Sequence, residues 1–262
     1  MKNIKLYSRL VKFYLLLNPL FVFILALQFK LPFISTILLY YLLPIISLFP
    51  LCTTKVKVKG AIFSLVTGVI IGTCLDFVFT YSGIWWVSDS VFNFRLLNQV
   101  PVEDILWGFS NIYLIVLFYE VFFDKNSALA KNENQRSLWL LAILTVVIFS
   151  SIYVINPELL FISQFYWIGG VVLLIIPMVL FFIRYRKTGL KIFLTGLYFF
   201  YLSLLFEIGA VFLGHWGFYG DVYLLKLTIS NVTIPFEEFF FFIVILAGSM
   251  LVYYEFYFDD RS

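Results

Sequence analysis

Two acidic motifs, Pro101-Val102-Glu103-Asp104 and Pro235-Phe236-Glu237-Glu238, stand 134 positions apart, each at the start of a long apolar segment. Carboxylates are costly in a bilayer, so two matching pairs point to a duplicated reaction site or ion site. The surroundings repeat as well. Asp76 matches Glu207, Gly83 matches Gly214 and Trp85 matches Trp216 at a spacing of 131, while Asp124 and Asp259 are 135 apart. Self-similarity at a nearly fixed period marks two related units in tandem.

Neighbouring residues on a helix point about 100° apart, so one pocket can hardly use both acids of a motif equally. Glu103 shares a face with Trp107 and Glu237 shares one with Phe241, four residues on in each case. A carboxyl group withdrawn from water tends to keep its proton and can act as a general acid. An aromatic face attracts a cation without being consumed by it. Together they suit proton donation followed by carbocation stabilisation. The structural alternative is that proline at the first helical position with acids in the first turn is an ordinary helix start, favoured by the helix dipole. Repetition in both halves, with Asp76 and Glu207 inside spans, shifts the balance to chemistry. Asp104 and Glu238 are the weaker members, with capping as their alternative role. For Trp85, Trp86 and Trp216 the alternative is the interfacial aromatic belt, and most of the 33 phenylalanines are lipid-facing or packing residues.

The elements that must carry these groups are membrane spans. With 63% hydrophobic and 13% charged residues and a mean hydropathy of +1.01, the chain lies far from soluble domains, where about 25% of residues are charged. Apolar stretches of ~20 residues predict eight spans, at 11–28, 33–51, 61–80, 103–123, 138–155, 165–183, 190–212 and 236–257. The fold class is therefore an all-α integral membrane protein, arranged as two parallel four-helix repeats. Residues 1–124 form the first repeat, 125–137 a polar cytoplasmic linker and 138–262 the second. The loop charges test this count: 15 of the 18 lysines and arginines fall on one side, and only Lys30, Arg95 and Lys226 on the other. The positive-inside rule then places both termini in the cytoplasm of a multi-pass protein of the cytoplasmic membrane. The net charge of +3 is a topology signal, and no nucleic-acid partner is expected.

Other classes of chemistry find little support. The basic start and apolar run from Phe13 to Leu27 lack a small-x-small cleavage site, which predicts an uncleaved first span. Cys52 and Cys74 can build neither a disulfide framework nor a zinc site. His215 is the single histidine and reads as a hydrogen-bonded loop residue, so no metal is expected. The cluster Gly214-His215-Trp216-Gly217-Phe218-Tyr219-Gly220 lacks dinucleotide or P-loop spacing, and no cofactor is evident. Asp76 lies 16 residues along the third span from Gly60, roughly 24 Å at about 1.5 Å per residue. All six acids then converge on one layer in the outer leaflet. Asp89, Glu133, Glu158, Asp221, Asp259 and Asp260 are expected as solvated loop or terminal charges, and Glu120 and Glu255 as acids that snorkel to the surface.

The segments Asp76-Phe-Val-Phe-Thr-Tyr-Ser-Gly83-Ile-Trp85 with Pro101-Val-Glu103-Asp104, and Glu207 to Gly214-His-Trp216 with Pro235-Phe-Glu237-Glu238, resemble the lycopene cyclase domain in its membrane-integral, non-flavoprotein, fused tandem form. The likeness covers nearly the whole chain. It implies that lycopene or a related linear carotenoid is cyclised to β-type ionone end rings, an isomerisation without net redox. A carboxylic acid protonates a terminal double bond, the tertiary cation closes a six-membered ring, and a carboxylate removes a proton. Glu103 and Glu237 are the expected acid and base, with Asp76 and Glu207 as partners or relays, Trp107 and Phe241 as cation stabilisers, and Trp85 and Trp216 beside the substrate. The implied partners are the carotenoid, the lipid bilayer and other carotenoid-biosynthesis enzymes. Cyclisation of a C50 carotenoid, a proton-coupled transporter and a non-catalytic scaffold are the alternatives.

Overall fold

Eight helices long and apolar enough to cross a membrane form in the computed structural model, at Ile4–Phe29, Phe33–Leu51, Thr54–Tyr81, Val102–Asp124, Gln135–Ile155, Phe165–Arg184, Gly189–Leu213 and Glu238–Phe258, numbered here as spans 1 to 8. The structure describes residues 2–88, 90–124, 134–218, 220, 223–229 and 232–258. Asp89, Glu133, Asp221, Asp259, Asp260, Lys125, Lys131, Arg261 and most of the 125–137 linker lie outside them. Spans 1 and 3 begin about seven residues before the apolar runs, because lysine and arginine stems can cover helix surface while their charges reach water. Thr53 caps span 3 by accepting the Val56 N–H at 3.3 Å.

The helices are less regular than their hydropathy. Wide π-helical turns occur at Leu38–Leu42, Leu65–Ile71, Glu120–Asp124, Gly170–Ile175 and Glu238–Ile245. The first and fourth lead into Pro44 and Pro177. A proline ring lacks an N–H and crowds the carbonyl four residues back, and a widened turn relieves both. The freed groups find other partners: Leu39 O accepts Asn18 Nδ2 at 3.1 Å, and Leu173 O accepts Tyr253 Oη at 2.7 Å.

Packing interleaves the halves. Span 7 lies against span 1, span 5 against span 3, and spans 4 and 8 touch each other. Spans 3 and 4 cross at Gly68 and Gly108, where a Cβ on Gly68 would meet the Gly108 carbonyl at 2.5 Å. Three two-stranded ribbons join the span ends: β1 (Trp86–Val87) with β4 (Trp216–Gly217), β2 (Arg95–Leu96) with β3 (Val100–Pro101), and β5 (Lys226–Ile229) with β6 (Val232–Pro235). The β1–β4 ribbon is antiparallel and pairs Trp86 with Gly217 across the halves.

At the opposite end of spans 4 and 8, Tyr119 Oη donates to Glu255 and Tyr254 Oη donates to Glu120. Both glutamates are buried, at 0% and 2% exposure, which corrects the expectation that they snorkel to the surface. Each carboxylate is instead held by a tyrosine of the other half. Asp124 forms an ion pair with Lys191 at 2.6 Å, again between halves.

Candidate functional site

Each half builds the same clasp around its intramembrane acid. The helix carrying Asp76 ends at Gly83 (φ 70°), and the helix carrying Glu207 ends at Gly214 (φ 73°). The Ile84 N–H reaches Phe79 O at 3.0 Å and the His215 N–H reaches Ala210 O at 2.9 Å. This left-handed cap needs glycine and turns the chain back along its own helix. The tryptophan two residues later therefore returns to the acid: Trp85 Nε1 donates to Asp76 Oδ1, and Trp216 Nε1 to Glu207 Oε1, both at 2.7 Å. Trp85 and Trp216 are thus tied to carboxyl groups, whereas Trp86 is exposed beneath the Arg95 guanidinium, 5.0 Å from its ring centroid.

A cavity of about 310 Å³ opens between the halves. Four acids line it: Asp76 and Asp104 from the first half, Glu207 and Glu238 from the second. Phe79, Trp85, Trp107, Trp216 and Phe242 supply aromatic walls, and much of the remaining lining is aliphatic or glycine. Asp76 and Asp104 interact with each other across spans 3 and 4 and also feel the charge of Arg95. Asp76 Oδ2 makes no hydrogen bond of ordinary geometry. Glu207 and Glu238 likewise interact, and Tyr166 Oη donates to Glu238.

The two acids singled out as the reacting pair sit elsewhere. Glu103 and Glu237 are both fully buried and do not line the cavity. Glu103 accepts Ser90 Oγ and the Val91 N–H, each at 2.6 Å. Glu237 accepts the Leu224 N–H at 2.6 Å and Trp167 Nε1 at 3.1 Å. Each therefore pins the loop that precedes its own helix. Their azimuth differs from that of the next residue by about 100°, and it is Asp104 and Glu238 that face the cavity. Phe241 shares a face with Glu237 as expected, but it packs on Trp167 and behind Gly170 and does not line the cavity. Phe242, which the sequence reading passed over, lines the cavity in its place. Trp107 does line it and donates its Nε1 to Tyr41 Oη at 3.2 Å. Tyr166 and Arg95 were also missed as neighbours of the acids. Arg95 repeats as the basic Lys226 at the spacing of 131, a signal that could have found it, whereas Tyr166 has no aromatic counterpart at that spacing.

His215 is a buried loop residue whose Nε2 donates to Leu31 O at 2.9 Å. Among the described residues, no group of three or more His, Cys, Asp or Glu side chains could hold a metal ion. The cavity reaches the outside of the bundle, since Leu141 of span 5 and Leu173 of span 6 line it and are also exposed. No family model, curated protein or solved structure matches the chain.

Proposed function

We propose that this protein is a membrane-integral carotenoid cyclase that closes β-type rings on the end groups of lycopene or a related linear carotenoid. The observation that carries this reading is that two carboxyl pairs line one aromatic, largely apolar cavity within a membrane bundle. A protonated carboxyl of one pair adds its proton to the terminal double bond and creates a tertiary cation. The neighbouring double bond attacks to form the ring C–C bond. A carboxylate takes a proton from the adjacent carbon, so the proton count closes and no electrons leave the substrate. Such a cation needs stabilisation that cannot trap it, and the ring faces of Trp85, Trp107, Trp216, Phe79 and Phe242 have that property. Acid–base work is accordingly assigned to Asp76–Asp104 and Glu207–Glu238, with Glu103 and Glu237 fixing the loops that cover the site.

The exposed rim at Leu141 and Leu173 supports access from the lipid phase, where a carotenoid dissolves. Two parallel four-span repeats, 1–124 and 138–262, with cytoplasmic termini and linker complete the proposal. Its support is the matched Gly–Trp–acid clasps, the antiparallel pairing of Trp86 with its counterpart Gly217, and the reciprocal packing of spans 7 on 1 and 5 on 3.

The test is pigment analysis of lycopene-accumulating cells that express the chain. Cyclic carotenoids are expected from the parental protein, and linear lycopene from Asp104→Asn/Glu238→Gln at equal protein level. Absence of rings with the parental protein inserted and folded would overturn the reading.

A further inference from the structure

The two walls of the cavity differ in a way that the repeat does not require. Among the described residues, the buried side-chain oxygens that line it without a hydrogen-bond partner are Thr73 Oγ1 and Asn111 Oδ1, together with Asp76 Oδ2, whose carboxyl has only the Asp104 carboxyl and the Trp85 N–H beside it. All three belong to the first half. Asn111 is only 3% exposed, in the middle of span 4. Their counterparts at the repeat spacings of 131 and 134 are Leu204 for Thr73 and Ile245 for Asn111. Leaving a polar atom unpaired in an apolar interior is costly, and such groups in native proteins are met by ordered water or by a ligand.

Thr73 and Asn111 lie on the same side of the acid pair along the bundle, since span 3 runs toward the pair and span 4 away from it. Thr73 is one turn from Asp76 on the same face of span 3. Asn111 is seven residues, or two turns, from Asp104 on span 4, roughly 10 Å along the axis. Gly72 and Gly108 also line the cavity and add no side-chain bulk to its wall. A buried water typically makes about three hydrogen bonds and needs polar partners and room.

We propose that the first-half wall is a water site, in which Thr73, Asp76 and Asn111 hold a short string of water molecules leading to the Asp76–Asp104 pair. This string makes the first-half carboxyls the ones that exchange protons with water. The second-half pair, walled by aromatic and aliphatic side chains and bound by Tyr166, exchanges its proton with water slowly. The inference deepens the cyclase reading by dividing labour between the pairs, but its geometry does not depend on which substrate is bound.

Infrared spectra of the full-length protein in nanodiscs, transferred from water to heavy water without substrate, test it. Carboxyl bands are assigned by their loss in Asp76→Asn and Asp104→Asn, or in Glu207→Gln and Glu238→Gln. The first-half bands are expected to exchange at least tenfold faster than the second-half bands. Thr73→Val/Asn111→Leu, which keeps the shapes and removes the polar atoms, is expected to slow first-half exchange tenfold or more and leave the second half unchanged. Thr73→Ser is expected to exchange like the parent. Equal exchange of the two pairs, or no slowing in the double variant, would overturn the proposal. A chain that forms no rings yet shows the asymmetric exchange would sink the cyclase reading alone.

Discussion

Two carboxyl pairs sit in matched scaffolds and unlike surroundings. In both halves a left-handed glycine returns a tryptophan to the intramembrane acid at 2.7 Å, and in both a buried glutamate pins the preceding loop. Around the first pair lie the Arg95 charge and unpartnered polar oxygens; around the second lie the Tyr166 hydroxyl and a wall of aromatic and aliphatic side chains. Lys226, the counterpart of Arg95 in the hairpin, lies over the Tyr223 ring. Arg95 pairs with Pro101 and Lys226 with Pro235, but the second hairpin is three residues longer, so the halves differ here in backbone as well as in side chains. Matched clasps around the two acids thus do not make their surroundings alike.

The largest effects are expected where the halves present an acid to the cavity. Asp104→Asn and Glu238→Gln should each lower ring formation by ~10²–10⁴, the usual worth of a general acid or base. Glu103→Gln and Glu237→Gln should fall far less, because an amide oxygen can still accept the loop N–H. Initial rates in isolated membranes, normalised to protein level, make this comparison. A greater loss at Glu103 and Glu237 would return the acid–base role to them.

Next come the tryptophan clasps. Trp85→Phe and Trp216→Phe remove a hydrogen bond to a carboxyl group, worth about 1.5–3 kcal/mol when that group is charged. If that support is lost in the transition state, the rate falls roughly 10- to 150-fold. Loss at one clasp alone would show that only that half carries the reaction.

A smaller effect, on stability alone, is expected at the other end of the bundle. Tyr119→Phe and Tyr254→Phe each take the donor from a buried glutamate, at a cost of about 1–3 kcal/mol. Thermal unfolding in detergent should show a lower midpoint for both, with ring formation per folded molecule unchanged. The smallest differences are expected from Arg95→Gln and Lys226→Gln. Arg95→Gln should change the rate by a factor of about five or less, the scale of a partly solvated ion pair, and Lys226→Gln by less again.

The number and extent of the spans, the two acidic motifs and the Gly-x-Trp spacing could be read from the sequence. Hydropathy sums locally along the chain, and a glycine cap followed by a returning side chain is a contact within ten residues. The Tyr119-Glu120 and Tyr254-Glu255 dipeptides, 135 apart, were also legible as a repeat, although their swapped pairing was not. What only the tertiary structure decided is which acid of each motif faces the cavity, that Glu120 and Glu255 are buried, and that the first-half wall is polar. Repetition marked Glu103 and Glu237 as important without distinguishing a loop anchor from a reacting group, since duplication copies both. An azimuth becomes a function only when a neighbouring element arrives on that side of the helix. Here the neighbours are the loops that carry Val91 and Leu224, span 6 through Trp167, and the spans of the opposite half. The loop contacts span 12 and 13 residues of irregular backbone and the Trp167 contact spans 70, so no helical periodicity can encode them.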